Sequence, residues 1–204
     1  MAEEPKDSAS VTAGLQGLAH ILGLRENFLI DLFMDPDDWS FIVKSHALLE
    51  SVICTLLAMH LRKQELESVL AEEVEMKPRI EMTKALGITT TEDRKAMYAL
   101  GKLRNKLVHN AKDTSFTFVE CFKNKEVKKN FSETFGHGWP DMIPGTEPPV
   151  SRAEFVAANP KFAVFQSVTS IATYVLGEIA KIQTEMALEG LRTAASIPPE
   201  SPRT

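Results

Sequence analysis

Cysteine is almost missing from this chain: Cys54 and Cys121 are the only two in 204 residues. Neither belongs to a CxxC pair, so there is no disulfide framework and no zinc-type spacing. Both read as small buried hydrophobes of a protein kept in a reducing cytosol. A glycine-rich phosphate loop is absent, and so are internal repeats, which removes the P-loop and solenoid classes. His20, His46, His60 and His137 have no mutual ligand spacing; they read as surface or core histidines, and no metal or cofactor is expected. No long apolar run is free of charge. The most apolar stretch, 41–61, carries Lys44, His46 and Glu50, which argues against a membrane span. The opening MAEEPKDSAS is acidic and polar, unlike a signal peptide. Positive charge is not in excess either: the net charge of −5 is poor for a general nucleic-acid binder.

What the chain does have is helical pattern. Its 44% hydrophobic content can fill one core, and the expectation is an all-α, single-domain helical bundle over residues 11–195. Residues 1–10 and the tail 196–204, SIPPESPRT, are expected to be disordered. Val11, Leu15, Leu18 and Leu22 mark a first amphipathic helix, and Glu26 to Met34 a short second one. Asp35-Pro36-Asp37-Asp38 combines a capping Asp, a Pro for the first turn and acids for the positive end of the dipole. It should start a long central helix reaching about Leu61, with Phe41, Leu48, Leu49, Val52, Leu56 and Met59 buried. On that helix Ser45 should bond a carbonyl one turn back, and Glu50 should be an ordinary solvated acid.

Further along, 64–74 reads as an acidic surface helix and 77–86 as another helix closed by Gly87. Thr90 and Asp93 have capping-box spacing at the start of a helix over 91–109. Residues 111–118 form a loop in which Phe116 and Phe118 alternate like an extended piece. Helical material follows to Phe135, then a Gly/Pro-rich connection over 136–150 that Trp139 and Met142 can anchor. Ser151 and Glu154 again have capping-box spacing. Asn159-Pro160 opens a long last helix with Phe162, Phe165, Val168, Ile171, Ala172, Val175, Ile179 and Ile182 as its stripe, where Gly177 can kink the helix or permit close packing.

One stretch holds polar residues arranged for chemistry: Leu103-Arg104-Asn105-Lys106-Leu107-Val108-His109-Asn110. A helix turns about 100° per residue, so Asn105 and His109 stack on one face while Arg104 lies roughly 140° from His109. Ala96, Leu100, Leu103 and Leu107 make the apolar stripe, which turns the histidine face outward. His109 falls in the last turn, where the dipole favours imidazolium, and Asn110 suits the left-handed turn that ends the helix. Charge collects here as well: residues 92–129 hold ten Lys/Arg against five Asp/Glu, so the remainder of the chain sums to −10.

An Arg, a polar residue directly after it and a His five positions on, at the end of a helix in an all-helical domain, resembles the signature of the HEPN superfamily. The flanking segments FIVKSHALLESVICTLL (41–57) and MTKALGITTTEDRKAMYALGKLRNKLVHN (82–110), with Ser115-Phe116 shortly after, resemble the mannitol operon repressor (MltR-like) branch over roughly residues 25–120. The resemblance implies a homodimer with Arg104, Asn105 and His109 as candidate catalytic residues. In active members of the superfamily it implies metal-independent RNA cleavage between two subunits; in the repressor branch it implies regulation without an obvious DNA-reading element.

Two function classes follow. As a ribonuclease, His109 would move protons near neutrality, Arg104 would hold phosphate oxygens, and Asn105 would fix the imidazole or the strand. As a non-catalytic regulator, the chain would act through contacts with a regulatory protein partner, whereas an antitoxin-like protein partner would go with the ribonuclease; a plain scaffold dimer is the third possibility, in which the same residues serve a salt bridge, a subunit contact and a helix cap. No helix-turn-helix with a basic recognition helix is present for direct DNA reading.

Overall fold

The computed structural model describes residues 6–109, 115–145 and 148–195. It is an all-α bundle built around one largely apolar helix that leaves only a narrow strip, Lys44, Ala47 and Ser51, exposed along its middle. This helix, α3 (Asp38–His60), buries Phe41, Leu48, Leu49, Val52 and Leu56 as the stripe requires, and also Ile42, Ile53, Cys54, Leu57 and Ala58, whereas Met59, near its end, is only partly buried. A helix with so wide an apolar surface must be covered on most sides, and α3 is packed by α2 (Phe28–Met34), α4 (Leu66–Glu73), α5 (Met76–Ala85), α6 (Thr91–His109) and α10 (Pro160–Ala195). Two helices, α3 and the Pro160–Thr193 portion of α10, are long and apolar enough to cross a membrane; α3 is largely enclosed by its neighbours here.

The start of α3 is set two residues later than an Asp35 cap would put it. Asp37 is the cap, accepting from the backbone N–H of Trp39 (3.2 Å) and Ser40 (3.1 Å). Asp35 instead organises the turn before it, accepting from Asp37 N–H, the Ser40 hydroxyl and the Lys44 ammonium. Those partners, working against the cost of its burial, lower its pKa to about 2.

The first helix, α1 (Lys6–Ile21), begins within the stretch expected to be disordered, five residues before Val11. Residues 1–5 and the 196–204 tail lie outside the described residues. Gly87 closes α5 in the left-handed conformation, φ +68°. Thr90 and Asp93 form their reciprocal cap at the head of α6, and Ser151 and Glu154 do the same at α9 (Arg152–Ala158). The segment after Ser115 forms α7 (Phe118–Cys121) and α8 (Lys125–Phe135) rather than an extended piece at Phe118. The Gly/Pro-rich connection contains one short antiparallel pairing, β1 (Met142–Ile143) with β2 (Val150–Ser151). Trp139 anchors it against Phe155 and Phe162, whereas Met142 is half exposed.

Two expectations fail here. Ser45 Oγ is buried with no hydrogen-bond partner among the described residues, so the expected bond to a carbonyl one turn back is not made. Gly177 lies on an exposed part of α10 with open space where a side chain would be, so it permits no close approach, and α10 runs through it unbroken.

Candidate functional site

α6 forms because its leucines recur on one side, and their burial decides where its polar residues go. Ala96, Leu100 and Leu107 are buried and Leu103 is partly so, which leaves Asn105 and His109 exposed and Arg104 half-buried at the stripe's edge. All three side chains line one cleft of about 420 Å³ between α6, α3 and α5. The cleft also receives Lys102 and Tyr98 from α6, Lys77 from α5 and Glu75 just before it. Arg104 Nη1 donates to Asn105 Oδ1 at 3.0 Å, so the asparagine orients the guanidinium rather than the imidazole. The end of α6 is held by Trp39, whose indole N–H donates to Leu107 O at 3.2 Å. Asn110, expected to end the helix, lies outside the described residues.

The floor of the cleft comes from α3 and was not expected. His46, only 4% exposed, places Nδ1 3.2 Å from Glu50 Oε2, one turn further along α3. The other carboxylate oxygen, Glu50 Oε1, accepts from Arg79 Nη2 of α5 at 2.9 Å, and Arg79 Nη1 donates to Cys54 Sγ at 3.1 Å. Arg79 is itself 4% exposed, and its Nε has no partner among the described residues. Above His46 the helices come close: a side-chain carbon at Gly101 would stand 3.4 Å from His46 Nε2. Glycine there lets α6 lie against the imidazole.

Glu50 is therefore no solvated acid. Burial works to raise its pKa, but the hydrogen bond from His46 and the charges of His46, Arg79 and Arg104 outweigh it and hold the carboxyl below its ordinary value. Arg104 makes no direct ion pair among the described residues, but it is near enough to contribute to that balance. Burial raises the Cys54 thiol, opposed by Arg79. Of the missed residues, His46 and Glu50 carried one legible signal, an i, i+4 His–Glu pair inside an otherwise apolar run. Arg79 carried none, because nothing in its helix marks one exposed-looking cation as the one that turns inward.

The arrangement pairs an oriented guanidinium with a solvent-facing imidazole above a buried, charge-balanced floor. A guanidinium with free N–H groups binds phosphate or carboxylate oxygens, and an exposed imidazole moves protons near neutrality. Comparison of the chain with protein-family models, with curated proteins and with solved structures gives no match.

Proposed function

We propose that the chain is a HEPN-like, homodimeric, cytoplasmic endoribonuclease that cuts RNA without a metal ion, using Arg104, Asn105 and His109. The observation that carries this reading is their shared cleft: an Arg held by its neighbour and an exposed His line the same space. In the reaction, the RNA 2′-oxygen attacks the adjacent phosphorus and the bond from phosphorus to the 5′-oxygen breaks. The 2′-hydroxyl proton goes to a base, and the leaving 5′-oxygen takes a proton from an acid, leaving a 2′,3′-cyclic phosphate and a 5′-hydroxyl. His109 serves as one of these groups and the same residue of a second copy as the other, across a two-fold axis that brings both clefts into one groove. Arg104 holds the non-bridging oxygens as charge builds on them.

The second reading is a non-catalytic, MltR-like regulator acting through protein contacts. It draws on the Glu50 carboxylate lining the same cleft and on the net charge of −5, both of which disfavour a bound polyanion. RNA cleavage by purified protein in EDTA, wild type beside His109→Ala, separates the two. Cleavage that survives chelation, leaves cyclic phosphate ends and disappears in the variant is the expected result. No cleavage of any RNA by a folded protein overturns the ribonuclease reading.

A further inference from the structure

The cleft that holds the motif has two unlike ends. Tyr98, Gly101, Lys102, Asn105 and His109 of α6 all line it. Their spacing of i, i+3, i+4, i+7 and i+11 sets them along one face of that helix. Asn105 and His109, with Arg104 beside them, make the polar end. Tyr98 stands two turns earlier. Its hydroxyl donates to the Glu81 carboxylate of α5, so its ring reaches from α6 to α5 and is tethered at both ends. Beside it Ile80 and Met97 are buried and Met76 is partly so, and all three line the cleft. This end is aromatic and apolar.

Between the two ends sits Gly101, one turn from Tyr98 and one turn from Asn105. It adds no side chain to that face, and the imidazole of His46 lies there instead, with Nε2 3.4 Å from where a side-chain carbon of residue 101 would stand. His46 Nδ1 is turned to Glu50, 3.2 Å away, while Nε2 makes no hydrogen bond among the described residues. Glu50 also lines the cleft, with its side chain 28% exposed. Each of its oxygens meets one partner, His46 or Arg79, and a carboxylate oxygen accepts more than one hydrogen bond. The middle of the cleft therefore offers acceptor capacity that the protein does not fill.

We propose that the Tyr98–Gly101 end of the cleft binds the nucleobase of the nucleotide whose phosphate lies at Arg104 and His109, stacked on the Tyr98 ring with its N–H edge toward Glu50 and His46 Nε2. This rests on the ribonuclease reading above and names a substrate contact for it. A cleft of about 420 Å³ is within the range of small-ligand sites. Tyr98 and Arg104 are six residues apart, about 9 Å along the helix, a span that one nucleotide covers from base to phosphate. Charge sets the direction. The guanidinium suits the phosphate oxygens, whereas the Glu50 carboxylate suits a donor and repels phosphate. A plain phosphorylated aromatic side chain would stack on Tyr98 but has no N–H to give to Glu50 or His46, and that difference selects a base.

The test is isothermal titration calorimetry of the wild-type protein with adenosine 3′-monophosphate, beside inorganic phosphate and phenyl phosphate. The nucleotide is expected to bind about tenfold or more tighter than inorganic phosphate, the scale of one base–aromatic stack. Tyr98→Ala is expected to remove most of that advantage, and Tyr98→Phe, which keeps the ring, to retain most of it. Gly101→Val covers the same floor with a branched side chain and is expected to give the same loss with Tyr98 in place. Circular dichroism checks that each variant folds. A nucleotide that binds no tighter than inorganic phosphate, or one whose advantage survives in folded Tyr98→Ala and Gly101→Val proteins, overturns the base site. Phenyl phosphate binding as tightly as the nucleotide overturns the base in favour of a phosphorylated aromatic side chain. RNA cleavage in EDTA is scored separately. A nucleotide advantage lost in both variants, in a wild-type protein that never cleaves RNA, supports the base site and removes the ribonuclease reading. Cleavage by a protein that does not prefer the nucleotide to phosphate overturns the base site alone.

Discussion

Glu50→Gln is the substitution that most directly tests the floor of the cleft. It removes one negative charge and changes little volume. Left behind is the Arg79 guanidinium, 5% exposed at its side chain, with Cys54 Sγ as its remaining partner and an Nε that has none among the described residues. Breaking a fully buried ion pair from one side costs about 3–5 kcal/mol. The Glu50 side chain is 28% exposed, and the amide oxygen of Gln still accepts one hydrogen bond, so the expected loss is nearer 2 kcal/mol. In urea, with a slope near 2 kcal/mol/M for a chain this size, the midpoint falls by about 1 M at an unchanged slope. The same substitution on an Arg79→Met background is expected to cost less than about 1 kcal/mol, because no buried cation is then stranded. The pH dependence has a definite sign. Glu50 is held below its ordinary pKa of 4.5, so its contribution is complete above that pH and disappears as pH falls through the lower folded-state value. The gap between wild type and Glu50→Gln therefore narrows below about pH 4.5. A loss under about 0.5 kcal/mol at neutral pH, or a gap that stays constant down to about pH 3, refutes the charge-balanced floor.

Three further outcomes follow from local geometry. Asp37→Ala removes both side-chain bonds at the head of α3 and is expected to lower stability by about 1 kcal/mol in urea denaturation. Gly177→Ala and Gly136→Ala should differ in sign. Open space at Gly177 lets alanine stabilise α10 by about 0.5–1 kcal/mol, whereas a methyl at Gly136 would stand 2.6 Å from Ser132 O and should cost about 1–3 kcal/mol; equal melting temperatures would contradict this. His109→Ala, at an exposed position, should leave stability within about 0.5 kcal/mol of wild type in urea denaturation, so any loss of activity in that variant could not be ascribed to unfolding.

The helices were readable where local chemistry alone sets them. Thr90 with Asp93, Ser151 with Glu154, Gly87 and Pro160 act within a turn of chain, and each marks its boundary in the fold. The burial of α3 was half readable. Its periodic stripe was visible, but Ile42, Ile53 and Leu57 lie off that stripe, and only the assembled neighbours show that they too are enclosed. Boundaries drifted where several residues competed for one role. Asp35 and Asp37 both suit a cap, and the choice fell to Asp37 because Asp35 is occupied by Lys44 and Ser40. Those partners are only defined once α3 exists.

The motif and its floor differ in how they were encoded. Arg104, Asn105 and His109 share a helix, so periodicity was enough to turn Asn105 and His109 outward and set Arg104 at the margin. Which atom each would meet was not available from periodicity. Asn105 was a candidate to orient His109, one turn on, yet its side-chain oxygen accepts from Arg104, its direct neighbour. The floor joins α3 to α5 across 29 residues of chain, the separation of Glu50 and Arg79. No local rule links such a pair, and a lone Glu within an apolar helix reads as solvent-facing until the partner helix arrives. Arg104 is tied to its own helix through Asn105 and to α3 through the field of Glu50. A change at Glu50 should therefore reach the motif without touching it. If Arg104 binds phosphate, Glu50→Gln frees positive charge in the cleft and is expected to strengthen binding of a fluorescein-labelled oligouridylate, read by fluorescence anisotropy, even as it weakens the fold. A variant that loses stability and binding together would mean that Glu50 serves Arg104 by holding it in place rather than by offsetting its charge.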